Sequence, residues 1–246
     1  MSSPKRVPRH FAVMPAGGTG SRLGASVPKQ YLELDGMPMI RRAALALLAA
    51  PWIDRLLVVV AAGDTRAAAA LAGLPRTVAV AEGGDTRRLS VLGGLRALRG
   101  EFGVADDDWI LVHDAARPGL DPAALERLRA CLVDDPVGGL LAMPVSDTVK
   151  RAAARAANAT IACVAVTLPR DELWLAQTPQ MFRFGLLYDV LTRFDDVTDE
   201  ASAVERAGLA PKLVPGALSN FKVTNAEDLE TMRRLLEGAP TAQTRQ

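Results

Sequence analysis

The sequence predicts an α/β fold: a mostly parallel, twisted sheet with helices on both faces. Three observations carry that expectation. Apolar runs of strand length alternate with helical patterns, the rhythm of parallel strands joined by helical crossovers. The chain has 246 residues, 49% of them apolar and only 4% aromatic, enough for a sizeable aliphatic core. Polar, Gly- or Asp-bearing loops follow the strands at what becomes a single rim, where open α/β sheets bind ligands.

The elements follow in order. Strands are expected at 11–14, 56–61, 77–81, 109–113 and 139–144, with helices near 39–50, 65–72, 86–98 and 122–133. In the third helix Leu89, Leu92, Leu95 and Leu98 recur at three-residue spacing, with Arg87, Arg88 and Arg96 elsewhere. Asp121-Pro122 reads as an N-cap followed by proline at the first helical position. The rhythm breaks after Thr148. An Ala- and Arg-rich stretch (150–158) and a strand at 160–167 read as an excursion from the main domain, which resumes at 173–180. Helices at 184–194 and 199–207 follow, the second stopped by Gly208, then short strands at 211–214 and 220–223. A final helix opens with the capping box Thr224-Asn-Ala-Glu227, buries Leu229, Met232, Leu235 and Leu236, and ends at Gly238. One domain over 10–238 is expected, with disordered tails at 1–9 and 239–246, and no internal repeat.

Charge and cysteine usage exclude several classes. With 29 basic and 28 acidic residues, net charge +1, binding of nucleic acid by bulk charge is disfavoured. An anion site must therefore be a local cluster of cations. Cys131 and Cys163 have no metal-ligand or C-x-x-C spacing and read as reduced, buried thiols. The basic N-terminus lacks the apolar core of a signal peptide, and no run approaches 18 apolar residues. A soluble cytoplasmic protein without a membrane partner is expected.

The first strand runs into Pro15-Ala-Gly-Gly-Thr-Gly-Ser-Arg-Leu-Gly24, then Val27-Pro-Lys-Gln-Tyr31. Gly17, Gly18 and Gly20 let backbone N–H groups approach a ligand closely, and Arg22 and Lys29 bring two cations to the same loop. Polyphosphates need that combination. A dinucleotide fingerprint fails because Leu23 stands where its last glycine belongs, and a P-loop fails because Lys29 lies between Pro28 and Gln30. Further rim loops carry Glu82-Gly-Gly-Asp-Thr-Arg87 leading to Ser90, His113-Asp-Ala-Ala-Arg-Pro118, and Val145-Ser-Asp-Thr-Val-Lys150. Asp85 and Ser90 suit either helix capping or a ligand. Asp114 reads as functional, and His113 as a hydrogen-bonded structural group.

These motifs, with Gln177-Thr-Pro-Gln180, Thr198-Asp-Glu-Ala-Ser202 and Asn220-Phe-Lys-Val-Thr224, come in one order from about residue 11 to 236. Together they resemble the 2-C-methyl-D-erythritol 4-phosphate cytidylyltransferases of non-mevalonate isoprenoid synthesis. The resemblance implies a Rossmann-like fold with a projecting β-arm, and transfer of CMP from CTP to methylerythritol phosphate with release of pyrophosphate. It implies a nucleotide site at Pro15, Ala16, Gly17, Gly18, Thr19, Gly20, Gly84, Asp85, Ser90 and Asp114. Arg22 and Lys29 would stabilise the α-phosphate. Asp114 and Arg117 would contact ribose or polyol hydroxyls, and Lys222 with Thr198 would hold the substrate phosphate. The arm at 148–172 resembles a dimerisation arm that places Thr148 and an arginine, here Arg170, in the partner's site. Mg²⁺ would bridge the CTP phosphates, Asp114 being the nearest protein candidate. The rival readings are a ribitol-5-phosphate cytidylyltransferase, a CTP-binding module without turnover and, already weakened by Leu23, a dehydrogenase.

Overall fold

A computed structural model describes residues 6–18, 27–154 and 161–237 of the chain. In chain order, β1 (His10–Pro15) precedes a 3₁₀ turn at Lys29–Tyr31, a small hairpin of β2 (Glu33–Leu34) and β3 (Met37–Pro38), and α1 (Met39–Leu48). Next come β4 (Arg55–Ala61), α2 (Ala67–Ala70), β5 (Thr77–Gly83), α3 (Arg87–Phe102), β6 (Trp109–Val112), α4 (Pro122–Leu132) and β7 (Gly138–Pro144). The arm is an antiparallel pair, β8 (Val149–Ala152) and β9 (Val164–Leu168). The chain then forms β10 (Trp174–Arg183), α5 (Phe184–Arg193), α6 (Glu200–Arg206), β11 (Lys212–Pro215), a 3₁₀ turn at Leu218–Asn220, and α7 (Ala226–Glu237).

Seven strands form the main sheet in the order β11-β7-β10-β6-β1-β4-β5. All pairs are parallel except those of β10, which runs antiparallel between β6 and β7. The side-chain period of two divides each central strand between two cores. Ala12, Met14, Leu56, Val58, Trp109 and Leu111 face α1 and α4, whereas Phe11, Val13, Leu57, Val59, Ile110 and Val112 face α3, α5 and α6. Both faces are buried, so β1, β4 and β6 read as apolar runs rather than alternations. Each fully buried Val, Leu or Ile contributes about 1.5–3 kcal/mol of transfer free energy.

Two glycines set how closely α3 lies on the sheet. A β-carbon at Gly93 would overlap the Glu82 carbonyl oxygen, and one at Gly94 would stand 2.8 Å from Val59 Cγ2 and 2.9 Å from Val13 Cγ1. Helix backbone thus meets strand backbone, bringing the first turn of α3 to the rim. Thr86 caps that turn, its Oγ1 accepting from Leu89 N–H at 3.2 Å, so neither Asp85 nor Ser90 is the cap. Gly103 ends the helix at φ 57°.

Several expectations are corrected. Residues 220–223 form no strand: a 3₁₀ turn leads into a loop, because Asn220 spends its polar groups on a buried network instead of a ladder. Its Nδ2 donates to the Thr178 carbonyl at 2.7 Å, and its carbonyl accepts from Arg117 at 2.7 Å. The reciprocal cap of α7 is Asn225 with Asp228, one residue beyond the expected pair. Of its four apolar residues only Met232 is buried, and Leu235 is 43% exposed. Cys131 and Cys163 are exposed, the first on the outer side of α4 and the second at the arm. Residues 6–9, expected within a disordered tail, are held by Asp108. This fully buried carboxylate accepts from Arg6 at 2.6 Å and from the Arg9 backbone at 2.7 Å. The 150–158 stretch begins as β8, and 173–180 belongs to a strand that crosses the sheet. Thr19, Gly20, Arg22 and Gly238 lie outside the described residues.

Gly93→Ala should cost about 1–3 kcal/mol by overpacking, whereas Gly100→Ala, where a β-carbon meets nothing within 4 Å, should gain about 0.5–1 kcal/mol. Urea denaturation of both variants checks the contrast. The chain has two histidines, and burial lowers both His10 and His113 to about 4. Unfolding releases them to about 6.5, so the unfolded state binds more protons between those values. Stability should therefore rise with pH through that window. Each histidine should cost about 2 kcal/mol between pH 7 and pH 5, which urea titrations at the two pH values would read. His113→Gln should remove its share of the slope.

Candidate active site

A cleft of about 740 Å³ opens beyond the carboxyl ends of β1, β4, β5 and β6. The strand order explains its place. From β1 the chain builds β4 and β5 on one side, then returns to lay β6 on the other, so the crossovers diverge and leave a crevice. Pro15, Ala16, Gly17, Gly18, Lys29, Gly84, Asp85, Ser90, Asp114 and Lys222, all expected from the sequence, line it.

On one side the lining is mainly backbone. The Ala16 amide donates to the Val59 carbonyl at 2.7 Å, and Gln30 Nε2 donates to the Ala16 carbonyl at 2.8 Å. Ala16, which leads into the glycines, is therefore clamped between β4 and the 3₁₀ turn that carries Lys29. The Ser90 hydroxyl accepts from Gly84 N–H at 3.2 Å and donates to the Thr86 carbonyl at 3.1 Å, folding the loop after β5 against α3. Lys29 Nζ donates to the Val223 carbonyl at 2.9 Å, joining this side to the loop of Lys222.

The opposite side is charged. Asp114, 7% exposed, meets Arg87 Nε at 2.9 Å through Oδ1, and through Oδ2 meets Lys222 Nζ at 2.9 Å and Arg117 Nε at 3.6 Å. Burial alone would raise its carboxyl. Arg87 first, then Lys222 and Arg117, outweigh burial and hold it far below the usual carboxylate range. Arg87 also grips Glu200 by both oxygens, at 2.6 and 2.9 Å. Burial pushes the Glu200 carboxyl up, against the pull of Arg87.

His113, fully buried, orients this side from below. Thr178 Oγ1 accepts from Asp114 N–H at 3.1 Å, so its own proton goes to His113 Nδ1 at 2.9 Å. The neutral ring then donates from Nε2 to the Arg117 carbonyl at 3.1 Å. That assignment satisfies every group and makes His113 a support rather than a base.

Some expected residues are not brought to the cleft. Arg117 lies beneath it, bonded to the carbonyls of Asn220 and Ala176. Thr198 is exposed beside Asp199, which caps α6 with Ser202. Thr148 is exposed at the arm, and Arg170 donates to the Ser146 carbonyl of its own chain. Gln30, Arg87 and Thr224 line the cleft without having been singled out, and Glu200 stands behind it. Arg87 did leave a signal: it opens a helix with a second arginine beside it, where the dipole disfavours cations.

Asp114 does not fit a protein-held Mg²⁺. Both its oxygens face cations, and among the described residues no three His, Cys, Asp or Glu converge as a metal site. Among the described residues no helix is long and apolar enough to cross a membrane.

The family model of 2-C-methyl-D-erythritol 4-phosphate cytidylyltransferase (IspD) matches residues 10–237. The protein of that name from Bordetella pertussis is 54% identical over 234 residues, covering 92% of this chain and 98% of its own. That of Dechloromonas aromatica is 51% identical over 237 residues, with 94% and 98% covered. A crystal structure of 4-diphosphocytidyl-2C-methyl-D-erythritol synthase superposes with a TM-score of 0.81 at 37% identity, over 95% of this chain and 100% of that one. With match, fold and cleft in agreement over nearly its whole length, the chain belongs to the 2-C-methyl-D-erythritol 4-phosphate cytidylyltransferase family.

Proposed function

We propose that the chain transfers CMP from CTP to 2-C-methyl-D-erythritol 4-phosphate, giving 4-diphosphocytidyl-2-C-methyl-D-erythritol and pyrophosphate for isoprenoid synthesis. One observation carries the reading: a Gly-rich backbone rim, Lys29, and an Asp114–Lys222 pair share one cleft in a chain that the family matches from residue 10 to 237. A phosphate oxygen of the polyol substrate attacks the α-phosphorus of CTP. The new P–O bond forms as the bond to the β-phosphate breaks, and pyrophosphate leaves. No general base is needed, because the nucleophile is already ionised.

The difficulty is charge. Two unit charges 4 Å apart repel by about 1 kcal/mol in water and about 4 at an effective dielectric of 20, and several meet here. Cations held in place before reaction offset that repulsion and the charge that builds on the pentacoordinate phosphorus. Lys29 and Arg22 would serve the α-phosphate, and Lys222 the polyol phosphate. Gly84, Asp85 and Ser90 would read the cytosine, and Asp114 would accept hydroxyls. Arg117 acts from beneath by fixing the Asn220–Thr224 loop. Mg²⁺ belongs with the triphosphate oxygens in this reading.

We also propose a homodimer through the 148–172 arm. Ile161 is 81% and Val164 62% exposed on a two-stranded hairpin, and Leu175 at its foot is 62% exposed. A lone hairpin is marginal in water and this apolar strip asks for cover. In trans, the arm would bring Thr148 and Arg170 to the partner's cleft.

Pyrophosphate release with CTP and methylerythritol phosphate, compared with ribitol 5-phosphate, tests the assignment; activity with ribitol phosphate alone would reverse it. Lys29→Ala should lower kcat about 10²–10³-fold with little change in the KM for CTP; an unchanged rate would remove Lys29 from the chemistry. Mixed dimers of Arg170→Ala and Lys29→Ala subunits should recover part of the lost activity, since one of their two sites is then intact. Verified mixed dimers that stay inactive would contradict a shared site.

A further inference from the structure

Arg87 is a cation of the cleft wall, and each of its three nitrogens already donates to a carboxylate. Both ends of its fork meet Glu200, and its Nε meets Asp114 Oδ1 at 2.9 Å. Glu200 is 1% exposed at the start of α6, and Gln180 on β10 pins that start. Gln180 Nε2 donates to Asp199 Oδ2 at 2.7 Å, and its Oε1 accepts from Ala201 N–H at 2.7 Å. Stability is a poor reason for such an arrangement. A buried ion pair repays little of its desolvation cost, and an arginine in a helix's first turn opposes the dipole.

The two oxygens of Asp114 differ in what holds them. Oδ1 faces Arg87, a rigid fork anchored on a buried carboxylate. Oδ2 faces Lys222 on its flexible stem, whose side chain is 40% exposed, at 2.9 Å, with Arg117 Nε farther off at 3.6 Å. A substrate phosphate competes with Asp114 for Lys222. Without Arg87, the 3.6 Å approach of Arg117 would be the charged contact left to orient the carboxylate when the lysine turns away, too long for a hydrogen bond. From this geometry we infer that the Arg87–Glu200 pair is a positioning device: it holds Asp114 by Oδ1, so that Oδ2 exchanges Lys222 for a hydroxyl of the polyol phosphate. The inference rests on the function proposed above and assigns Arg87 and Glu200 to selection of the acceptor, not to the nucleotide.

The test uses the full chain with CTP and methylerythritol phosphate, in wild type, Glu200→Gln, Arg87→Lys, and each combined with Asp114→Asn, with folding followed by thermal unfolding. Either single change should raise the KM for methylerythritol phosphate about tenfold or more, the loss of a charge-assisted hydrogen bond, and leave that for CTP within about twofold. Combined with Asp114→Asn, it should add almost nothing, because it acts through that carboxylate. Equal changes in both Michaelis constants, no change in a folded variant, or multiplicative effects in the double variants would overturn the inference. So would loss of folding in both single variants, which would make the pair structural. A wild-type chain that releases no pyrophosphate would overturn the functional reading itself, a result distinct from any of these.

Discussion

The site depends on one carboxylate buried among cations. Asp114 is nearly inaccessible, yet Arg87, Lys222 and Arg117 keep it ionised, so it can only accept hydrogen bonds. The other features of the charged side follow from holding it there. Its backbone N–H is tied through Thr178 to a neutral His113, and that ring reaches on to the Arg117 carbonyl. Arg117 in turn fixes the loop that delivers Lys222. Removing a group from such a chain would strand a buried polar neighbour, which is more costly than the lost bond.

The glycine-rich side of the cleft is built from different parts. Its walls are amide groups presented by tight loops, and their shape is set by close contacts of the backbone: Ala16 on β4, Gly84 on the Ser90 hydroxyl, α3 on β5. Backbone donors lose little entropy on binding because the sheet has already ordered them. The charged side instead gathers long side chains from α3, α6, the segment after β6 and the loop before α7. Under the proposed function, placing both at one crevice would let two polyanions meet with their repulsion offset by groups that need no reorganisation.

Most of the sheet was legible in the sequence because strands buried on both faces read as apolar runs bounded by Gly and Asp. The rim loops were legible too, since glycines and cations have no packing reason to recur after strands. Where pattern misled, tertiary polar contacts decided. Asn220-Phe-Lys-Val-Thr224 has the composition of a strand, but a buried amide holds it as a loop. The apolar spacing of α7 suggested deep burial, yet it covers only a small cluster with Leu34, Met39, Ala116 and Val223. Glu200 was not singled out in the sequence, and its bidentate partner lies 113 residues away in the chain. No local window contains that pairing. The close approach of Gly93 and Gly94 was equally hidden, because glycine has no hydropathy signal to mark a contact face.

β10 has a mechanical consequence. It starts at Trp174, at the foot of the arm, slips its register between Ala176 and Gln180, and there releases Gln177 and Thr178 toward the loops at 217 and 113. Four residues, at most about 13 Å of extended backbone, separate the arm's foot from the Thr178 hydroxyl that accepts from Asp114 N–H. The arm and the charged side of the cleft are thus joined by a short covalent link, with the extra residues of the bulge as its compliant stretch.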